Sequence, residues 1–88
     1  MTEQDIIETI NRSLAEEFEL DPAAMVPTAN LVTDLNLDSL DLVDMVVLLQ
    51  NVFHIKIREE KAIRDIRTLG DLHQFVIRKS RELPAGPA

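Results

Sequence analysis

The feature that most constrains the fold is the segment 39–53, SLDLVDMVVLLQNVF, which is strongly apolar and contains neither Gly nor Pro. It is too long for a typical strand, and its polar residues Asp41, Asp44 and Asn51 recur at steps that place them on one side of a helix. A helical wheel of this segment predicts one apolar stripe that faces inward (Val46, Leu49, Phe53). It predicts a second apolar stripe beside the acidic side of the helix (Leu40, Val43, Val47). A helix apolar on so many sides is either central to a bundle or presents an apolar strip to partners.

Two more helices are predicted, one at each end of the chain. Thr2 with Asp5 is a capping pair that opens the first helix, which we expect to end at Asp21-Pro22. Thr68 with Asp71 opens the last helix, whose final turns are basic, as the helix dipole favours. The inward side chains are predicted to be Ile6, Ile7, Ile10, Leu14 and Phe18 in the first helix and Leu69, Leu72, Phe75 and Val76 in the last.

The connections between these helices differ in length. Residues 20–37 form a long first loop, whose apolar residues we expect to pack across the core: Leu20, Met25, Val26, Leu31, Leu35 and Leu37. The stretch EEKAIRDI, residues 59–66, predicts a short helix of about two turns. The fold class is therefore all-α, a small bundle of three main helices and one short helix. Residues 1–82 form the domain, and 83–88 form a frayed tail.

Composition narrows the possible functions. The 88 residues contain no Cys, which excludes disulfides and thiolate metal sites, and the start of the chain lacks the features of a signal peptide. The net charge is -7; residues 1–55 hold eleven acidic residues and one basic residue, whereas residues 56–88 hold eight basic and five acidic residues. We expect a monomeric cytoplasmic protein without stable membrane insertion, and the acidity argues against a nucleic-acid partner.

The stretch DLNLDSLD, residues 34–41, is the one constellation that carries chemistry. Ser39 is predicted to be exposed at a helix N-terminus, where a negatively charged group attached to it would be stabilised. The alternative is that Asp38 or Ser39 is only an N-cap. A catalytic role for Ser39 is disfavoured: His54 lies at the far end of the same helix, roughly 22 Å away at 1.5 Å per residue, and His73 has no supporting context. We therefore predict no catalytic residue.

A calcium site is the remaining alternative on these residues. Asp34, Asn36 and Asp38 match the opening of an EF-hand loop, D-x-N-x-D. However, Ser39 stands where the loop needs Gly, and Met45 stands where it needs a bidentate Glu. We predict no metal site here.

The sequence LVTDLNLDSLDLVDMV resembles the signature of the acyl carrier proteins, and the resemblance covers nearly the whole chain. It implies that Ser39 receives 4′-phosphopantetheine from coenzyme A, that Asp38 assists this modification, and that the chain is not an enzyme. The implied partners are a phosphopantetheinyl transferase, the acyl chain, and acyl-loading, condensing and acyl-transferring enzymes. The residues that match the family's partner-facing positions are Leu40, Asp41, Val43, Asp44 and Val47.

Two departures from the family pattern bear on the pathway. The later half of the central helix reads Gln50, Asn51 and Val52 where the family is often rich in Glu, and the next region is basic instead of acidic (Lys56, Arg58, Lys61, Arg64, Arg67). Among fatty-acid, modified-lipid and polyketide synthesis, the resemblance therefore favours a dedicated pathway over bulk fatty-acid synthesis. A helical interaction module that is never modified is the alternative function.

Overall fold

A computed structural model of the chain describes residues 2–55 and 65–82. Its helices are α1 (Glu3–Phe18), α2 (Ser39–Phe53) and α3 (Leu69–Glu82), with a 3₁₀ turn at Pro22–Ala24. The described residues contain no strand, only an isolated antiparallel bridge between Asn30 and Thr68. The all-α prediction is confirmed. The predicted short helix at 59–66, except its last two residues, and the predicted tail at 83–88 lie outside the described residues.

The predicted capping pairs at the starts of α1 and α3 are both present. The Asp5 backbone N–H donates to Thr2 Oγ1 at 3.1 Å, and Asp5 Oδ2 accepts the Thr2 N–H at 3.1 Å. Thr68 and Asp71 make the same reciprocal pair, at 3.1 and 3.2 Å. The N–H groups of Thr68 and then Arg67 lower the pKa of the Asp71 carboxyl by hydrogen bonding to its ionised form.

The predicted end of α1 at Asp21-Pro22 is wrong, because the helix stops at Phe18. Glu19 adopts the left-handed conformation, with φ 54°, and its N–H donates to Ala15 O, which is a C-terminal cap. Asp21 and Pro22 instead open the 3₁₀ turn, in which the Asp21 side chain accepts the Ala23 N–H at 2.9 Å. The proline therefore starts a new element rather than ending the helix before it.

The core lies between the three helices and the long loop, as predicted, and four of the predicted residues, Ile7, Phe18, Leu20 and Phe53, pack against it while only half-buried. The buried apolar residues are Ile6, Ile10, Leu14, Met25, Ala29, Leu31, Leu35, Leu37, Met45, Val46, Leu49, Ile55, Ile66, Leu69, Leu72, Phe75, Val76 and Ile77. Phe18 and Phe53 are only half-buried, because each is the last residue of its helix; beyond Phe53 the chain turns at His54 and buries Ile55 instead. Val26 was expected in the core and is 48% exposed.

The long loop is bonded to the start of α3, and we call the three backbone bonds involved the loop–α3 contact. Leu31 N donates to Arg67 O, Leu69 N to Ala29 O and Gly70 N to Pro27 O, each at 2.9 Å. A Cβ on Gly70 would lie 2.9 Å from Pro27 O, so only glycine fits this approach without a shift. No helix of the described chain is long and apolar enough to cross a membrane.

Candidate functional site

Ser39 is exposed and is the first residue of α2, as the sequence predicted. The question of which residue caps this helix is settled in favour of Asp38, whose Oδ1 accepts the Asp41 N–H at 2.8 Å. Asp41 Oδ2 accepts the Asp38 N–H at 3.1 Å in return, completing a capping box. The cap therefore does not need the Ser39 hydroxyl, which remains accessible for chemistry.

Two backbone amides at the start of α2 have no partner among the residues that the structure describes. Neither Ser39 N–H nor Leu40 N–H makes a hydrogen bond to any residue in the described ranges, although the next two amides bond to Asp38. Free N–H groups and the positive end of the helix dipole make such a position favourable for a phosphate. A phosphodiester on the Ser39 hydroxyl is therefore compatible with the local chemistry of this chain.

Ser39 is held in position by a compact turn over residues 30–37. Asn30 Oδ1 accepts the Val32 and Thr33 N–H groups at 2.9 and 3.0 Å, while the Asn30 N–H donates to Asp34 Oδ2 at 2.7 Å. Leu31, Leu35 and Leu37 anchor the turn in the core at 1%, 5% and 3% exposure. Sequence reasoning missed the role of Asn30, which the tendency of Asn to close Asx-turns could have indicated.

A cleft of about 540 Å³ lies beside the start of α2, between the end of α1 and the long loop. Its apolar lining comes from Phe18, Leu20, Ala24, Leu35 and Leu37. Its carboxylates come from Glu17, Glu19, Asp21, Asp34 and Asp41. Negative charge is thus concentrated in one cleft beside the start of α2, and such a field attracts basic groups and speeds their encounter.

The apolar strip predicted beside the acidic side of α2 is exposed. Leu40, Val43 and Val47 have 75%, 56% and 49% of their surface exposed, and their spacing places them along one line of the helix. Asp44 is exposed beside them, whereas Asp41 is half-buried because its carboxylate belongs to the capping box. The five residues with predicted partner contacts therefore lie on one accessible surface next to Ser39.

The geometry gives no support to a catalytic or calcium-binding role. His54 is exposed at the far end of α2, and His73 is buried with its Nε2 against Asn11. Among residues 2–55 and 65–82, no group of three or more His, Asp or Glu side chains could hold a metal ion. Met45, which takes the position of the bidentate EF-hand ligand, is a core residue at 1% exposure.

Comparison with known proteins gives consistent matches. Residues 8–76 match the family model described as the phosphopantetheine attachment site. The chain is 40% identical over 72 residues to acyl carrier protein 2 of Ralstonia nicotianae, covering 82% of this chain and 88% of that protein. It is 33% identical over 79 residues to an acyl carrier protein of Thermosynechococcus vestitus, covering 90% and 96%. The crystal structure of an acyl carrier protein from Thermotoga maritima superposes with a TM-score of 0.79 at 26% identity, covering 93% and 94%.

Proposed function

Because this chain belongs to the acyl carrier protein family, a family of carriers rather than catalysts, we propose that Ser39 is where its prosthetic group is attached. The family fixes the cofactor as 4′-phosphopantetheine and the general role as the carriage of acyl intermediates between biosynthetic enzymes. The group supplies a terminal thiol on which an acyl chain is held as a thioester.

The observation that carries the assignment is the arrangement at the start of α2. Ser39 is exposed, lies in the Asp-Ser-Leu motif, and is followed by an amide at Leu40 that has no partner among the described residues. The negative charge of a phosphodiester attached to the serine oxygen would be stabilised by the free amides of Ser39 and Leu40 and by the helix dipole. The core anchors on the loop side, Leu35 and Leu37, would keep the serine at a fixed position relative to the bundle.

Asp38 is proposed to assist the modification of Ser39. Its Oδ1 is held by the Asp41 amide, which fixes the carboxylate at the cap position immediately before the serine. Its second oxygen, Oδ2, accepts no hydrogen bond from the residues that the structure describes. That oxygen is available to a cation or a basic side chain of the transferase that delivers coenzyme A.

The exposed side of α2 is proposed as the surface that partner enzymes contact. Leu40, Val43 and Val47 supply a small apolar strip, and Asp44 with the carboxylates of the adjacent cleft supplies negative charge. The charge speeds encounter with basic enzymes, and the small apolar area allows a carrier to be released after each step. The partners proposed are the phosphopantetheinyl transferase and acyl-loading, condensing and acyl-transferring enzymes.

For the pathway, we propose a dedicated lipid or polyketide route rather than bulk fatty-acid synthesis. The segment after α2 carries four basic residues, Lys56, Arg58, Lys61 and Arg64. An enzyme whose basic surface is suited to an all-acidic carrier would be repelled by these like charges. These cations lie outside the described residues, so the proposal rests on sequence. A carrier that must meet several enzymes in turn is best served as a free monomer in the cytoplasm, which we also propose.

The direct test of the attachment site is intact-mass measurement after incubation with coenzyme A and a broad-specificity phosphopantetheinyl transferase. The wild type should gain the mass of one phosphopantetheine group, and Ser39→Ala should gain none. Ser80→Ala, which removes a half-buried serine of α3, is the matched control and should be modified as the wild type is. Modification of Ser39→Ala would overturn the site, and an unmodified wild type would favour an interaction module.

A further inference from the structure

His73 in α3 is a buried polar residue that the carrier function does not use. It is 3% exposed, and its Nε2 lies 2.7 Å from Oδ1 of Asn11 in α1. The α3 residues one turn away from it are apolar or lack a side chain: Leu69, Gly70, Val76 and Ile77. The imidazole therefore sits in apolar surroundings and is matched to a single half-buried amide on the neighbouring helix.

The charged groups around this contact do not compensate a positive imidazole. On α1, Glu8 is one turn before Asn11 and Arg12 follows it; both are exposed, and they carry opposite charges. On α3, the nearest charged residue is Asp71, whose exposed carboxylate is engaged by the N–H groups of Arg67 and Thr68. The side chains that α2 and the loop bury in the core are all uncharged: Met25, Ala29, Leu31, Leu35, Leu37, Met45, Val46 and Leu49. Burial accordingly lowers the pKa of His73 by desolvation of its charged form.

We propose that His73 makes the packing of α1 against α3 sensitive to pH: Nε2 donates to Asn11 Oδ1 in both protonation states, whereas uptake of a second ring proton at Nδ1 places a positive charge in the buried interface. Another side-chain link between these helices is the ion pair of Arg81 with Glu3, whose side chains are 68% and 56% exposed. An exposed pair of this kind contributes little to stability. The buried link is therefore where a change of protonation acts on the packing of α1 against α3.

The sign of the effect follows from linkage. A histidine in the unfolded chain takes up its proton near pH 6.5, whereas the buried His73 resists protonation to lower pH. In that interval the unfolded state binds more protons, so the folded state loses stability as the pH falls below about 6.5. Repulsion within a chain of net charge -7 works in the opposite direction, because acidification relieves it. The two effects can be separated by removing the histidine alone.

The test compares the melting temperature of the full-length wild type with that of His73→Gln across pH 5 to 7.5. The glutamine amide nitrogen takes the place of Nε2, so the bond to Asn11 can persist while the titrating group is gone. The two curves should run parallel above neutrality and diverge below about pH 6.5, with the wild type falling relative to the variant. Parallel curves over the whole range would overturn the proposal.

The chain's other histidine supplies the matched control. His54 is exposed in the left-handed C-cap of α2, with φ 54°, and Asn tolerates that conformation, so His54→Asn should keep the pH dependence of the wild type. An NMR titration of the two histidine rings in the wild type gives an answer that does not depend on the variant folding. His73 should titrate at lower pH than a histidine in an unstructured peptide; titration at or above that reference would refute the link.

Discussion

Helices α2 and α3 begin in the same way and are used differently. Each opens with a reciprocal cap in which an aspartate three residues into the helix pairs with the capping residue, Asp38 with Asp41 and Thr68 with Asp71. In α3 the first two amides then donate to Ala29 O and Pro27 O of the long loop. In α2 the corresponding amides have no partner among the described residues.

At the start of α3 the backbone N–H groups bond to the rest of the fold. At the start of α2 the corresponding N–H groups remain available to a ligand. The loop–α3 contact uses the free N–H groups of α3 to fix the loop, so that end has nothing left to offer a ligand. The start of α2 keeps its N–H groups, its dipole and an exposed serine together. The unpaired amides at the surface therefore distinguish the helix that we propose is modified, whereas the capping motif does not, because both helices share it.

The exposed sides of α2 and α3 also differ, in the kind of side chain that each presents to solvent. The described residues of α3 expose only polar side chains, whereas α2 exposes Leu40, Val43 and Val47 while burying Met45, Val46 and Leu49. Helix α2 thus contains more apolar side chains than it buries in the core. This exposed strip is the surface that we propose partner enzymes contact.

The largest expected effect is on stability, and it distinguishes the buried side of α2 from its exposed strip. Leu49→Ala, at a residue that is 0% exposed, should lower the free energy of unfolding by about 2–5 kcal/mol, because it leaves a cavity in the core. Val47→Ala, two positions away and 49% exposed, should change it by less than about 0.5 kcal/mol. Urea denaturation of both variants measures the contrast, and similar losses would mean that the strip is part of the packing.

An intermediate effect is expected at the start of α3. Gly70→Ala would gain about 1 kcal/mol of helix propensity in an open helix. Here its Cβ would press on Pro27 O, and such overpacking costs about 1–3 kcal/mol, so we expect net destabilisation. Gln74→Ala, exposed on the same helix, is the control and should be close to neutral by thermal melting. A Gly70→Ala variant more stable than the wild type would show that the loop–α3 contact is dispensable.

The smallest effect concerns binding and leaves folding untouched. The double change Leu40→Ala with Val43→Ala should lower kcat/KM for the phosphopantetheinyl transferase about tenfold, equivalent to about 1.4 kcal/mol of lost contact. Val32→Ala, which is 50% exposed but lies outside α2, should leave the rate as it is. Equal rates for all three proteins would remove the apolar strip from the partner surface.

Much of the fold could be read from local patterns. Helix periodicity and helix caps depend on residues within a few positions of one another in the chain. Such local patterns predicted the bounds of α2, the capping pairs of α1 and α3, and the exposed strip. Ser39 and its exposure followed from the same reasoning. The end of α1 was misplaced because a left-handed Glu19 has no clear signal, as glycine is the usual residue there.

What the sequence could not supply is non-local. The bonds that join the loop to residues 67–70 connect segments far apart in the chain, and neither segment has a pattern that specifies its partner. For the same reason no local pattern predicts the burial of His73 against Asn11 that the structure shows. The half-burial of Phe53 likewise depends on Ile55 filling the core after the turn.

The bridge between Asn30 and Thr68 has a consequence for the order of folding. It closes a circuit of chain that contains the whole of α2, and closing a circuit of several tens of residues costs about 3 kcal/mol of chain entropy before its contacts are gained. The turn over residues 30–37 is closed by local bonds, but its attachment to residues 67–70 needs two distant segments to meet, so we expect that attachment to form later than the local contacts of helix α1. We therefore expect the turn that precedes Ser39 to reach its final position late in folding.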